Sequence, residues 1–210
     1  PSDESAQNSY NYVLDSGRVL KLMGGKRCVF HSATQGKLER EAAVALTEER
    51  LKVLRDYIYM NDLQDLYFCP ETMGKIAQIG TLEEIIRFCK IDKVFLPCID
   101  FGHLNAREQG SLNTAKDYKV RLEYMVAELG YERVRHFHVH FSKIQYSAKG
   151  EVRHLTFEDE QYGPKFEPLA EALFELKLEP YIVSESAGTQ AEDALAMKEC
   201  YGRILRGQNE

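Results

Sequence analysis

The chain has 210 residues, of which 44% are hydrophobic and 29% charged, a balance that excludes an intrinsically disordered or fibrous protein. Its formal charge of −6 argues against holding nucleic acid by bulk positive charge, though not against holding phosphates through bound cations. No apolar run approaches the roughly 18–20 residues that a membrane span needs, and no charged-then-apolar leader is visible, so a cytoplasmic protein without a membrane partner is expected.

In chain order, a helix is predicted over 8–23, ended by Gly24-Gly25, and then a buried strand over 27–31. Leu51, Leu54 and Ile58 stand at helical spacing ahead of a second strand over 66–71. Thr81 and Glu84 form a capping-box pattern that opens a helix over 82–90, before a third strand over 94–100. A fourth strand is read over 135–142. Leu169, Leu173 and Leu176 then mark a helix, followed by a fifth strand over 180–185. Ala194, Met197, Tyr201 and Leu205 set the face of the last helix. The five cysteines include no CxxC pair, and Cys28, Cys69 and Cys98 lie in apolar runs. Buried free thiols in a reducing compartment are expected.

Strand–helix–strand alternation implies parallel strands joined by crossovers. Every predicted strand ends in a potential metal ligand: His31, Glu71, Asp100, the His136/His138/His140 set and Glu185. Barrels gather an active site from many strand ends, whereas an open sheet uses mainly those at one crevice. The expected fold is therefore α/β, a TIM (β/α)8 barrel. Residues 1–210 form a single partial barrel domain holding about the last five β/α units, with the N-terminal strands absent.

Strand alternation places His136, His138 and His140 on one face, away from Phe137, Val139 and Phe141. Glu71, Asp100 and Glu185 each follow an apolar run, where a carboxylate is costly unless paired or metal-bound. Two Glu, one Asp and one His make a plausible shell for Zn2+ or Mn2+. His31, His103 and His154 are further candidate donors, and more than four ligands imply more than one ion. Two or three ions held close together suit phosphoryl ester hydrolysis. Lys143 and Arg153 are candidate phosphate contacts.

The strings Cys-Pro-Glu-Thr-Met-Gly-Lys (69–75), Cys-Ile-Asp-Phe-Gly-His-Leu-Asn-Ala (98–106), His-Val-His-Phe-Ser-Lys (138–143) and Ser-Glu-Ser-Ala-Gly-Thr-Gln (184–190) resemble endonuclease IV and its TIM-barrel relatives. The resemblance implies a metal-dependent hydrolase that cleaves DNA at abasic sites with two or three Zn2+ ions. By position it assigns metal binding to His31, Glu71, Asp100, His103, His138, His154 and Glu185, with Glu71 and Glu185 as the catalytic carboxylates that place the ions. Three departures stand out. A further histidine ligand of the family belongs to a strand not in this chain. Ser32-Ala33 follows His31 where the family shows Pro-Gly. The family's Asp-x-His in the loop is here Val152-Arg153-His154, with Glu151 out of register for the missing acid. The Glu71/Asp100/His138/Glu185 quartet also resembles that of xylose-isomerase-like sugar isomerases and epimerases. The alternative is therefore an enzyme that acts on a small sugar with one divalent ion, Mn2+ among the candidates.

Overall fold

The computed structural model describes residues 3–207. In chain order the elements are α1 (Asp3–Leu22), β1 (Arg27–Phe30), β2 (Ala33–Thr34), α2 (Arg40–Met60), β3 (Tyr67–Pro70), β4 (Gln78–Ile79), α3 (Leu82–Cys89), β5 (Cys98–Asp100), α4 (Phe101–Arg107), α5 (Ala115–Leu129), α6 (Tyr131–Val134), β6 (His138–Phe141), β7 (Ile144–Ser147), β8 (Gly150–His154), α7 (Phe166–Glu175), β9 (Tyr181–Ser184) and α8 (Gln190–Gly207).

Five of these strands form a parallel wall. β1 pairs with β3, and β6 lies between β5 and β9. Parallel bridges Phe68–Phe95 and Glu71–Cys98 join β3 to the segment entering β5. The order along the wall is β1, β3, β5, β6, β9, always the next strand in the chain. A doubly wound sheet reverses its order at the binding crevice, and this wall does not. Those five strands are the ones read from the apolar runs.

The two faces of the wall differ. Phe68, Phe95, Ile99, Phe137, Val139 and Phe141 belong to the main apolar core, with Leu51, Leu54 and Ile58 of α2 and Leu169 and Leu173 of α7. Cys69, Leu96 and Cys98 form a separate small cluster, with Val29 against it. All five cysteines are free and buried, as their apolar settings imply.

Three local expectations are corrected. The fourth strand begins only at His138. Before it α6 turns back, with the Phe137 amide donating to Val134 O, so His136 falls outside the ladder. Its ring Nδ1 meets Glu179 O instead, at 3.1 Å. On α8, Ala194 and Leu205 are exposed and the inward stripe is Asp193, Met197 and Cys200. The helix is rotated because Asp193 Oδ2 is held by Thr189 Oγ1 and the Phe157 amide. Finally, the loop that carries His154 is an ordered hairpin, with β7 and β8 paired antiparallel. Gly150 permits it, with φ +88 and a virtual Cβ only 2.1 Å from Gly74 O.

The capping box at α3 forms as read. Glu84 N donates to Thr81 Oγ1, and Glu84 Oε2 accepts from the Thr81 and Gly80 amides. Arg40 adds two charged hydrogen bonds to the same carboxylate. Burial alone would raise the Glu84 pKa, but Arg40 and the two amides outweigh it and hold the group below the ordinary value. A carboxylate depressed in the folded state contributes stability above its unfolded pKa and loses it as pH falls through the folded one. Glu84→Gln is expected to cost ~1–2 kcal/mol at neutral pH in urea unfolding. That difference from the unsubstituted chain should shrink towards zero as pH drops below about 4.

Candidate metal centre

β3, β5, β6 and β9 deliver their last residues to one end of the wall. Glu71 directly follows β3 and is buried, with its amide bonded to Phe30 O. Asp100 closes β5 and also caps α4, its Oδ1 accepting from the His103 amide at 2.7 Å. That double role explains the Asp-x-x-His spacing: the cap turns the chain into a helix whose first turn carries His103 back over the strand end. Glu185 directly follows β9, tied through its amide to Phe141 O.

Glu71, Asp100, His140 and Glu185 form a group in which one donor atom from each lies within 4.8 Å of the others. His140 Nδ1 is 2.9 Å from Glu71 Oε1 and 3.1 Å from Glu185 Oε1. Thus the imidazole in this quartet is His140, where the sequence reading placed His138. Both residues face inward, two apart on β6, but His140 is the one level with Asp100 in the register. His138 sits one step lower, level with Cys98.

In a second group, His103, His154 and Glu185, one donor atom from each likewise lies within 4.8 Å of the others, and Glu185 is shared with the first. His31 reaches in from the β1 end, Nε2 at 3.2 Å from Glu71 Oε2, with its side chain 62% exposed. The structure therefore gathers His31, Glu71, Asp100, His103, His154 and Glu185 at one place, adds His140, and sets His138 just beneath.

Glu151 also joins this region, against its apparent register. In the β7/β8 ladder Tyr146 pairs with Glu151 but Gln145 pairs with Arg153, so Val152 is squeezed out as a bulge and is 50% exposed. With one residue left out of the count, Glu151 and His154 become alternate positions and share a face. Glu151 Oε2 lies 3.4 Å from His103 Nε2, and Oε1 lies 4.0 Å from His154 Nε2. The acid-x-His spacing missing from the sequence is thus restored by a bulge, which residue spacing alone could not reveal. Glu151→Ala is expected to weaken ion binding at the His103/His154 position by at least about tenfold while the quartet retains its ion, as metal titration would read.

The electrostatics suit cations. Burial would raise the Glu71 pKa, but hydrogen bonds from His140 and His31 hold it low, so it stays ionised. Burial lowers and the Glu185 and Glu71 hydrogen bonds raise His140, which is pushed up to about 10. Asp100 is shifted upward by full burial, against the pull of His103. Its Oδ2 is buried without a hydrogen-bond partner. That oxygen lies 3.4 Å from His103 Nδ1 without a hydrogen bond, and inside a ring of Glu, Glu and His it fits a divalent cation, which would satisfy it and displace the ring proton. Lys143 does not face this centre; its ammonium is bonded to the Phe157 and Asp159 carbonyls. Arg153 is bonded to Gln145 Oε1.

A family model described as a xylose isomerase-like TIM barrel matches residues 1–200. An uncharacterized protein of Methanocaldococcus jannaschii is 29% identical over 202 residues, covering 96% of this chain and 72% of the relative. Among solved structures, a D-tagatose 3-epimerase-like protein superposes with a TM-score of 0.71 at 17% identity, covering 100% of this chain and 74% of its own. Endonuclease IV from Thermus thermophilus superposes at 0.60 with 16% identity, covering 94% and 69%. At these identities the likeness to the solved structures is one of fold.

Proposed function

The chain belongs to the xylose isomerase-like TIM-barrel family, and on that premise we propose that it is a metal-dependent phosphodiesterase of the endonuclease IV kind, acting on DNA at abasic sites. The observation that carries this reading is the surplus of donors. A quartet sufficient for one ion adjoins a second group, His103, His154 and Glu185, with Glu151 and His31 at its margins. One ion does not need them all; two or three would use them. Zn2+ suits the imidazole-rich group, and Mn2+ is a second candidate for the carboxylate-rich one.

Such ions, when bound, supply Lewis acidity that brings water towards deprotonation at neutral pH and offsets charge on a phosphoryl group. The chain's residues do the rest. Glu71 and Glu185 fix the ion positions, Glu185 serving both groups. Asp100 holds one oxygen on the α4 amide and leaves the other for a ligand. Ser142 Oγ, 2.8 Å from His154 Nδ1, fixes that ring so that Nε2 faces the centre. Beside His31 a cavity of about 620 Å³ opens between α1 and α2, lined by Phe30, Gln35, Lys37 and Arg50, among others. Its lining is mostly apolar, with Ala43, Leu46, Leu51 and Leu54 along α2.

The second reading is a sugar isomerase or epimerase with one ion. It is favoured by the quartet, which closes without any of the flanking histidines. The test is incubation of the metal-loaded chain with duplex DNA carrying a single abasic site. Strand cleavage at that site, abolished by chelator and restored by Zn2+ or Mn2+, is expected. Intact DNA under those conditions, with interconversion of a ketose instead, would reverse the order of the two readings.

A further inference from the structure

Below the carboxylate quartet, β5 and β6 bring together a different set of donors. Cys98 and His138 are direct partners across the parallel ladder, and His140 follows two residues later on the same face. One ligand atom from each of the three lies within 4.8 Å of the others. All three residues are buried, Cys98 completely. The His138 and His140 rings meet edge to face with centroids 5.1 Å apart. The Nδ1 of His138, a residue only 8% exposed, is buried without a hydrogen-bond partner. Leaving such a nitrogen unsatisfied costs about 1–3 kcal/mol, and an apolar side chain on this inner layer would avoid that penalty. Cys69, Leu96 and Val29 cluster beside Cys98, and the charged side chains that act on the His138 ring are His140, Arg27, Glu71 and Glu185.

We propose that Cys98, His138 and His140 form a second, softer ion position beneath the quartet, a thiolate–bis-imidazole site for a thiophilic transition ion such as Zn2+. One thiolate and two imidazoles prefer such ions, whereas the three carboxylates and one imidazole above suit Mn2+ or Mg2+ as well. On binding, the Cys98 thiol gives up its proton to solvent and the sulfur becomes the ligand. His140 belongs to both groups, and a neutral imidazole has a single lone pair to donate, so a soft ion held here competes with the quartet ion for His140. This site does not depend on the phosphodiesterase reading, because it rests on different donors and is read without substrate.

The test titrates the reduced chain with Co2+ and follows absorption. A near-ultraviolet thiolate-to-cobalt charge-transfer band is expected to rise and saturate at the intensity of about one thiolate–cobalt bond per chain. It should vanish in Cys98→Ser, weaken at least about tenfold in apparent affinity in His138→Gln, and persist in Cys69→Ser, whose thiol lies outside the group. Failure to bind Co2+, bound Co2+ without the band, or a band that survives in folded Cys98→Ser each overturns the proposal. Zinc-edge X-ray absorption on the unsubstituted, zinc-saturated chain decides the matter without any variant. A sulfur shell at ~2.3 Å supports the site, and nitrogen and oxygen alone at ~2.0–2.1 Å overturn it.

Discussion

Glu185→Ala is expected to lower divalent-metal affinity more than about 100-fold and to remove hydrolysis at abasic sites with it. The reason is its position. It follows β9 at the end of the parallel wall and is the one residue common to the quartet and to the His103/His154 group. Truncation there also takes away one of the two carboxylates against His140, leaving Glu71 to hold the ring alone. Even loss of a partner behind a ligand costs about 10–100-fold, so loss of a shared ligand should exceed that range. Fold stability should change little, because the side chain is only partly buried and makes no apolar contribution to the core. Isothermal titration with Zn2+ and Mn2+, beside a thermal melt of the metal-free chain, separates the two effects. Unchanged affinity in a folded Glu185→Ala would remove Glu185 from the site.

The largest stability effect should come from the opposite face of the neighbouring strand. Phe141 is fully buried and sits edge to face against Phe157 and Phe166, with centroids 5.9 and 5.2 Å away. It follows His140, so the packing of one residue sets the orientation of the other. Phe141→Ala removes a ring from a close-packed core, and a loss of ~3–5 kcal/mol is expected in urea unfolding. That is a large share of the ~5–15 kcal/mol that domains ordinarily possess. Phe141→Leu should cost less, because it leaves a smaller cavity. Equal costs for both variants would show that the edge-to-face ring contacts, and not the volume filled, carry the loss.

The parallel wall was legible in the residues because its inner strands β3, β5 and β6 are largely buried on both faces and its outer strands β1 and β9 are still apolar, so all five read as apolar runs, each closed by a polar residue. Glu71, Asp100 and Glu185 stood out for the same reason: one carboxylate after such a run is often a helix cap or an ion-pair partner, but three at corresponding strand ends point to one site. His138 and His140 could not be told apart in this way. They share one face of β6, and only the register against Asp100 sets His140 level with the carboxylates. His136 failed for a different reason. The expected strand ran three residues too far back, because a helical turn, α6, ends close to β6 and its carbonyl holds Phe137. Glu151 was discounted on spacing, and spacing misled because the bulge at Val152 removes one residue from the count. Sequence carries periodicity well. It carries poorly the points where periodicity is interrupted, and here those points decide which donors meet.

Anomalous diffraction from crystals soaked in Zn2+ or Mn2+ tests the central claim most directly. A peak bounded by Glu71, Asp100, His140 and Glu185, with a second between His103, His154 and Glu185, is the result expected here. No peak among the four residues at saturating metal, with Asp100 Oδ2 engaged by a protein hydrogen-bond donor instead, would contradict it.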